Sequence, residues 1–99
     1  MNIRINTVKF DADKKLLHFV QQKVKKLSRY FDDIIGVEVY LKLENTQDLD
    51  NKVVEIKIEI PGNNLFSRKQ SKTFEESTDS AVDALKLQII KHKEKLRGV

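Results

Sequence analysis

The sequence contains no cysteine, which excludes disulfides and thiolate metal sites and agrees with a cytoplasmic location. No apolar run approaches the roughly 20 residues that span a bilayer. The opening MNIRINTVKF has no apolar signal-peptide core, so neither membrane insertion nor export is expected. Its three glycines, Gly36, Gly62 and Gly98, are too scattered to build a phosphate-cradling loop, and no serine stands in a nucleophile-elbow context. His18 and His92 are isolated, without a ligand set at a recognised spacing, and read as ordinary surface or packing histidines. Asp48 and Asp50 lack the spacing and closing glutamate of a calcium loop. The expectation is therefore a non-enzyme with no catalytic residue, no metal, no cofactor and no small-molecule substrate.

Acid is missing from one long stretch. Between Lys14 and Arg29 there are six basic residues and no Asp or Glu, and between Lys86 and Arg97 there are five against Glu94 alone. The two segments carry +6 and +4, together +10, and because the whole chain carries +4 the remainder carries −6. Solubility alone favours mixed signs, whereas a concentrated positive field suits a polyanionic partner.

What is present is enough for one small domain over residues 1–99: 39% apolar residues in a 99-residue chain supply a single core of two layers. Ile3 and Ile5 alternate with Arg4 and Asn6 in a short first strand, and Phe10 and Ala12 follow as residues that pack where the chain turns. Asp13 is a good N-cap for a helix over roughly 13–31, with Leu16, Val20, Val24, Leu27 and Phe31 as its apolar stripe. Asp32, Asp33 and Gly36 break that period. A second strand follows from Val37 to Glu44, then a polar loop from Asn45 to Asn51. The third strand, VVEIKIEI, sets Val54, Ile56, Ile58 and Ile60 against Glu55, Lys57 and Glu59. Pro61 to Asn64 makes a turn, and Leu65 to Lys69 pairs back as a short fourth strand. Thr73 caps a second helix over Phe74 to Arg97, with Ala81, Val82, Leu85, Ile89 and Leu96 inward. Its acids lie at the start and its bases at the end, as the helix dipole prefers. The fold class is α+β in the order β-α-β-β-β-α, a four-stranded mixed sheet with both helices packed on one face.

On a wheel of 100° per residue, Lys15, Lys23, Lys26 and Arg29 gather beside the first helix's stripe with Phe19 among them, while Lys14 and Lys25 point to solvent. Lys86, Lys93 and Arg97 share a narrow sector of the second helix. Side by side, the helices would present one cationic strip able to neutralise phosphates. The outward side of the third strand is Glu55, Lys57 and Glu59, leaving Tyr40 alone on the second strand, which argues against base stacking on the sheet. Phe19, Tyr30 and Phe66 read as core or edge packing. Helix-borne charge suits folded RNA recognised by backbone and shape. A structured-RNA module acting elsewhere and a protein-interaction domain using exposed strand edges are the alternative readings.

The runs KLSRYFDDI and VEVYLKLE, with KHKEKL near the end, resemble the short ribosome hibernation promoting factors, also called ribosome-associated inhibitors, of the sigma-54 modulation protein family. The resemblance covers nearly the whole chain. It implies a fold akin to a double-stranded-RNA-binding domain with an added first strand. It further implies binding to the small ribosomal subunit and its ribosomal RNA, where messenger and transfer RNAs would sit, silencing translation under stress or in stationary phase by occupancy alone. The family's basic positions match Lys23, Lys26, Arg29 and Lys91. Two others fall on Ala84 and Leu87, with Lys86 and Lys93 nearby, and the D-M-Y signature is replaced by Thr73, Phe74 and Glu75. The expected RNA-binding set is Lys15, Lys23, Lys26, Arg29, Lys86, Lys91, Lys93 and Arg97. Longer members add a C-terminal dimerisation domain, and this chain, ending at Val99, resembles the short form, expected to be monomeric off the ribosome.

Overall fold

The computed structural model describes residues 1–44, 47 and 49–98. Its elements are β1 (Asn2–Val8), α1 (Lys14–Lys25), a 3-10 turn (Lys26–Arg29), β2 (Gly36–Leu43), β3 (Lys52–Ile60), β4 (Asn63–Ser71) and α2 (Phe74–Leu96). Asn45, Thr46 and Asp48 of the expected polar loop, and with Asp48 the calcium-loop question, lie outside the described residues.

The crossover helix between β1 and β2 makes them a parallel pair, with Asn2 opposite Gly36 and Val8 opposite Lys42. The short connections that follow make β2–β3 and β3–β4 antiparallel, giving the sheet order β1-β2-β3-β4. Pro61 and Gly62 alone join Ile60 to Asn63, and Gly62 takes φ 75°, the position of a type II turn that favours glycine. Because the turn is that tight, pairing starts at Asn63 and runs to Ser71. The fourth strand is therefore longer than Leu65 to Lys69, its ladder carrying Asn63, Asn64 and Gln70 despite their weak strand preference.

Alternation sends Val37, Val39 and Leu41 of β2, Val54, Ile56, Ile58 and Ile60 of β3, and Leu65 of β4 to one face. Val20 and Val24 of α1, Leu27 of the 3-10 turn, and Phe74, Ala81, Leu85 and Ile89 of α2 complete the same cluster. Phe10 stacks on Phe74 with ring centroids 4.7 Å apart, closing the layer where the chain enters α1. Asp13 accepts from the Leu16 amide at 2.8 Å and Thr73 from the Glu76 amide at 3.0 Å, so both helices begin on their expected caps. Ser77 and Thr78 are buried polar exceptions with partners. Ser77 Oγ donates to the Lys52 carbonyl at 2.7 Å and lies 2.6 Å from Ser71 Oγ, and Thr78 Oγ1 donates to the Phe74 carbonyl at 2.7 Å.

Three expectations are corrected. The first helix does not continue to Phe31: its last turn tightens to 3-10 geometry, where Tyr30 N–H bonds the Leu27 carbonyl and Ser28 Oγ donates to the Lys25 carbonyl. Leu96 is not inward but 66% exposed, because the last fully covered residue of α2 is Ile89 and the helix runs on past the core. Phe66, which read as packing, is 52% exposed on the open side of edge strand β4.

The open face of the sheet is charged and largely self-neutralising. Lys42 pairs with Glu55 at 3.0 Å, and Arg68 with Glu44 at 3.2 Å and Glu55 at 3.3 Å. Val53 is fully buried on this side, between Lys42 and Gln70 in the register. Tyr40 donates to the Glu38 carboxylate at 2.8 Å, and that bond, with the carboxylate's charge and partial burial, raises the phenol above its ordinary value.

Leu85→Ala removes a fully buried side chain and is expected to lower unfolding free energy by about 2–5 kcal/mol, read from denaturant melts. The raised Tyr40 value means the folded state holds that proton more tightly than the unfolded chain. The corresponding stability is intact below about pH 10 and is lost as pH rises through the folded value. Glu38→Gln in a Tyr30→Phe background should move the Tyr40 absorbance titration back down.

Candidate nucleic-acid interface

Once Val20, Val24 and Leu27 are committed to the core, Lys15, Phe19, Lys23 and Lys26 fall on the flank of α1 that faces α2. The 3-10 turn refines this placement. Residues three apart eclipse in such a turn, so Arg29 stands in line with Lys26, and Tyr30 in line with the buried Leu27. Tyr30 is thereby drawn against the core's margin, toward α2. On α2, Lys86, Lys93 and Arg97 occupy the flank facing α1.

Contacts between the two elements rise together in residue number. Lys23 Nζ meets Asp79 Oδ1 at 3.1 Å, Lys86 Nζ sits 4.9 Å from the Tyr30 ring centroid, and the Phe31 ring meets His92 edge-on at 5.6 Å. The helices therefore run side by side in the same direction, with their C-terminal ends at one end of the molecule. There Arg29, Tyr30, Phe31, Asp32, Asp33, Lys93, Leu96 and Arg97 line a groove of about 300 Å³.

The structure gathers part of the expected cationic set and disperses the rest. Lys26, Arg29, Lys86, Lys93 and Arg97 lie on the facing flanks or in the groove, and none has a carboxylate within 4.0 Å among the described residues. Lys23 is on the same flank but paired with Asp79, its ammonium also 5.5 Å from the Phe19 ring centroid. Lys15 is exposed at the opposite end of α1, in a hollow it shares with Asp11, Asp13 and Glu75. Lys91 is exposed but turned about 140° round the helix from Lys86, onto the other flank of α2. Leu87 is 62% exposed on the outer surface of α2, and Ala84 is half-buried.

Sequence reasoning did not find the Asp79 partner of Lys23 or the seat of Lys86 on Tyr30. Both depend on the relative register of two helices separated by a whole sheet, which no local spacing encodes. The contrast with the open sheet face is also tertiary: there Lys42 and Arg68 are held by glutamates, whereas among the described residues Lys23 is the one cation between the helices held by a carboxylate. Among the described residues no three His, Asp or Glu side chains converge as a metal site, and no helix is long and apolar enough to cross a membrane.

A family model described as Sigma 54 modulation protein / S30EA ribosomal protein matches residues 3–97. The ribosome hibernation promoting factor of Escherichia coli K12 is 30% identical over 97 residues, covering 98% of this chain and 96% of that one. Its counterpart in Pseudomonas putida is 28% identical over 99 residues, covering 100% of this chain and 93% of that protein. The ribosome hibernation promotion factor of Bacillus subtilis is 31% identical over 96 residues, which span 97% of this chain and 50% of that protein. Among solved structures, a ribosomal subunit interface protein from Coxiella burnetii superposes with a TM-score of 0.83 at 18% identity, over 94% of this chain and 98% of that one. The N-terminal domain of Thermus thermophilus Protein Y gives 0.77 at 24% identity, over 90% and 96%. At those identities the two structures establish the fold.

Proposed function

This chain belongs to the Sigma 54 modulation protein / S30EA ribosomal protein family, and we propose on that premise that it is a ribosome hibernation factor acting on the small subunit without covalent chemistry. Its facing helix flanks lie on ribosomal RNA in the channel that messenger and transfer RNAs would otherwise fill, and occupancy of that channel silences translation. It works as a monomer in the cytoplasm.

The observation that carries this reading is the state of the cations. Lys26 and Lys86 on the facing flanks, and Arg29, Lys93 and Arg97 in the groove at the helix ends, have no carboxylate partners among the described residues. Aligned helix dipoles account for some basic residues at these ends, each worth about 0.3–1 kcal/mol. They do not account for Lys86, which lies in the middle of α2 and rests on an aromatic ring. Backbone recognition needs such a field and little base readout, and each phosphate neutralised adds about 0.7–0.9 to the log–log salt slope. Lys15 and Lys91, at the far end and on the far flank, lie outside this gathered group and contribute less than the sequence suggests.

Three outcomes test it. Reversing Lys26, Arg29 and Lys93 to Glu is expected to abolish co-sedimentation with small subunits while leaving the circular dichroism spectrum unchanged. Bound messenger and transfer RNA should exclude the wild-type protein, and coexistence on one subunit would end the channel reading. Asp79→Asn removes the charge that occupies Lys23. It should tighten subunit binding and steepen the salt slope by about 0.7–0.9, since Lys23 becomes available to a phosphate. Its stability change should stay within the roughly 0–1 kcal/mol of an exposed pair.

A further inference from the structure

The groove at the helix ends has a composition that a track for phosphates does not require. Its cations are Arg29, Lys93 and Arg97, but its lining also includes Tyr30, Phe31 and Leu96, and Leu96 stands 66% exposed in the middle of that charge. Phosphate contact is made by charged and polar donors, and an apolar side chain adds nothing to it. Apolar and aromatic surface beside cations is the combination by which proteins seat an unpaired base: the ring stacks or packs, and the cation takes the phosphate attached to it.

We infer that this groove holds one unpaired nucleotide of the bound RNA, its base against Leu96, Phe31 and Tyr30 and its phosphate on Arg29, Lys93 and Arg97. The inference rests on the RNA-binding reading above and assigns it a stacking subsite. Charge complementarity selects this occupant. Asp32 and Asp33 line the same groove, yet neither lies within 4.0 Å of its cations among the described residues, so those cations are not neutralised from within the groove. The cations receive one phosphate, and the carboxylates repel a second while offering acceptors to the exocyclic amine of a base. A volume of about 300 Å³ is at the small end for a ligand cleft, which suits one nucleotide and not a duplex. The 3-10 turn fixes the site, since it sets Arg29 and Tyr30 on neighbouring lines, and the edge contact of Phe31 on His92 at 5.6 Å ties the following residue to α2.

Leu96→Ser is suited to the test because the side chain is exposed and the core does not depend on it. With the full chain and purified small subunits, it should weaken binding about three- to tenfold, as loss of one apolar packing contact does, and leave the salt slope and melting temperature unchanged. Arg97→Gln should instead lower the slope. A photo-crosslinking amino acid at position 96 should attach to an unpaired ribosomal RNA nucleotide. Unchanged affinity in Leu96→Ser, a loss accompanied by a shallower slope, or crosslinking to a ribosomal protein or a base-paired nucleotide would overturn the subsite. If the charge reversals abolish binding while Leu96→Ser does not weaken it, only the subsite fails. If the charge reversals leave binding intact, the RNA reading fails first.

Discussion

The width of the sheet governs the rest of the molecule. Four strands at about 4.8 Å spacing offer a face roughly 19 Å across, and helices about 10 Å in diameter cover it only if two lie against each other. The alternation of β2 and β3 leaves one face that must be covered, with Val39, Leu41, Ile56 and Ile58 all withdrawn from solvent. Burying that layer therefore forces α1 and α2 into contact and sets their facing flanks side by side. The cationic surface is a by-product of the core: Lys86 meets Tyr30 because Leu27 and Leu85 share the same apolar floor.

The common direction of the two helices adds a second consequence. Both C-terminal ends, with their partial negative charge, fall at one end of the domain, where Arg29, Lys93, Lys95 and Arg97 are found. Backbone dipoles favour these cations, and among the described residues none of them has a carboxylate within 4.0 Å. Lys23 is in the other condition, since a phosphate there must displace Asp79. The two kinds of cation on one flank thus differ in what an incoming anion would meet: an unpaired charge in one case, an ion pair in the other.

Much of this was legible in the chain. The stripe Leu16, Val20, Val24 and Leu27, the alternation of Val54 through Ile60, and the caps Asp13 and Thr73 gave element order, strand direction and the covered face. Local patterns reach about that far. The end of the first helix is not legible, because Phe31 keeps the helical period while the backbone, with Ser28 bonded to Lys25, has already tightened. Nor does alternation mark Val53, whose register neighbours Lys42 and Gln70 lie on two other strands. At the candidate interface, charge density was visible but charge pairing was not: nothing near Lys23 in the sequence announces Asp79. Spacing alone grouped Lys86, Lys93 and Arg97, whereas Lys91, included on resemblance, lies on the opposite flank.

β1 has a single backbone neighbour, β2, and its register places Asn2 against Gly36. Its partner strand comes only after the whole of α1, so the pair cannot close until Gly36 to Leu43 is in place. Parallel pairing through a helical crossover is the slow kind of contact, waiting on closure of a long loop. Until the pair closes, the acid-free stretch from Lys14 to Arg29 lacks part of the apolar floor on which its stripe packs in the folded domain. The topology thus sets the most basic part of the chain inside the loop whose closure is slowest, so the helix that carries it finds its final seat late.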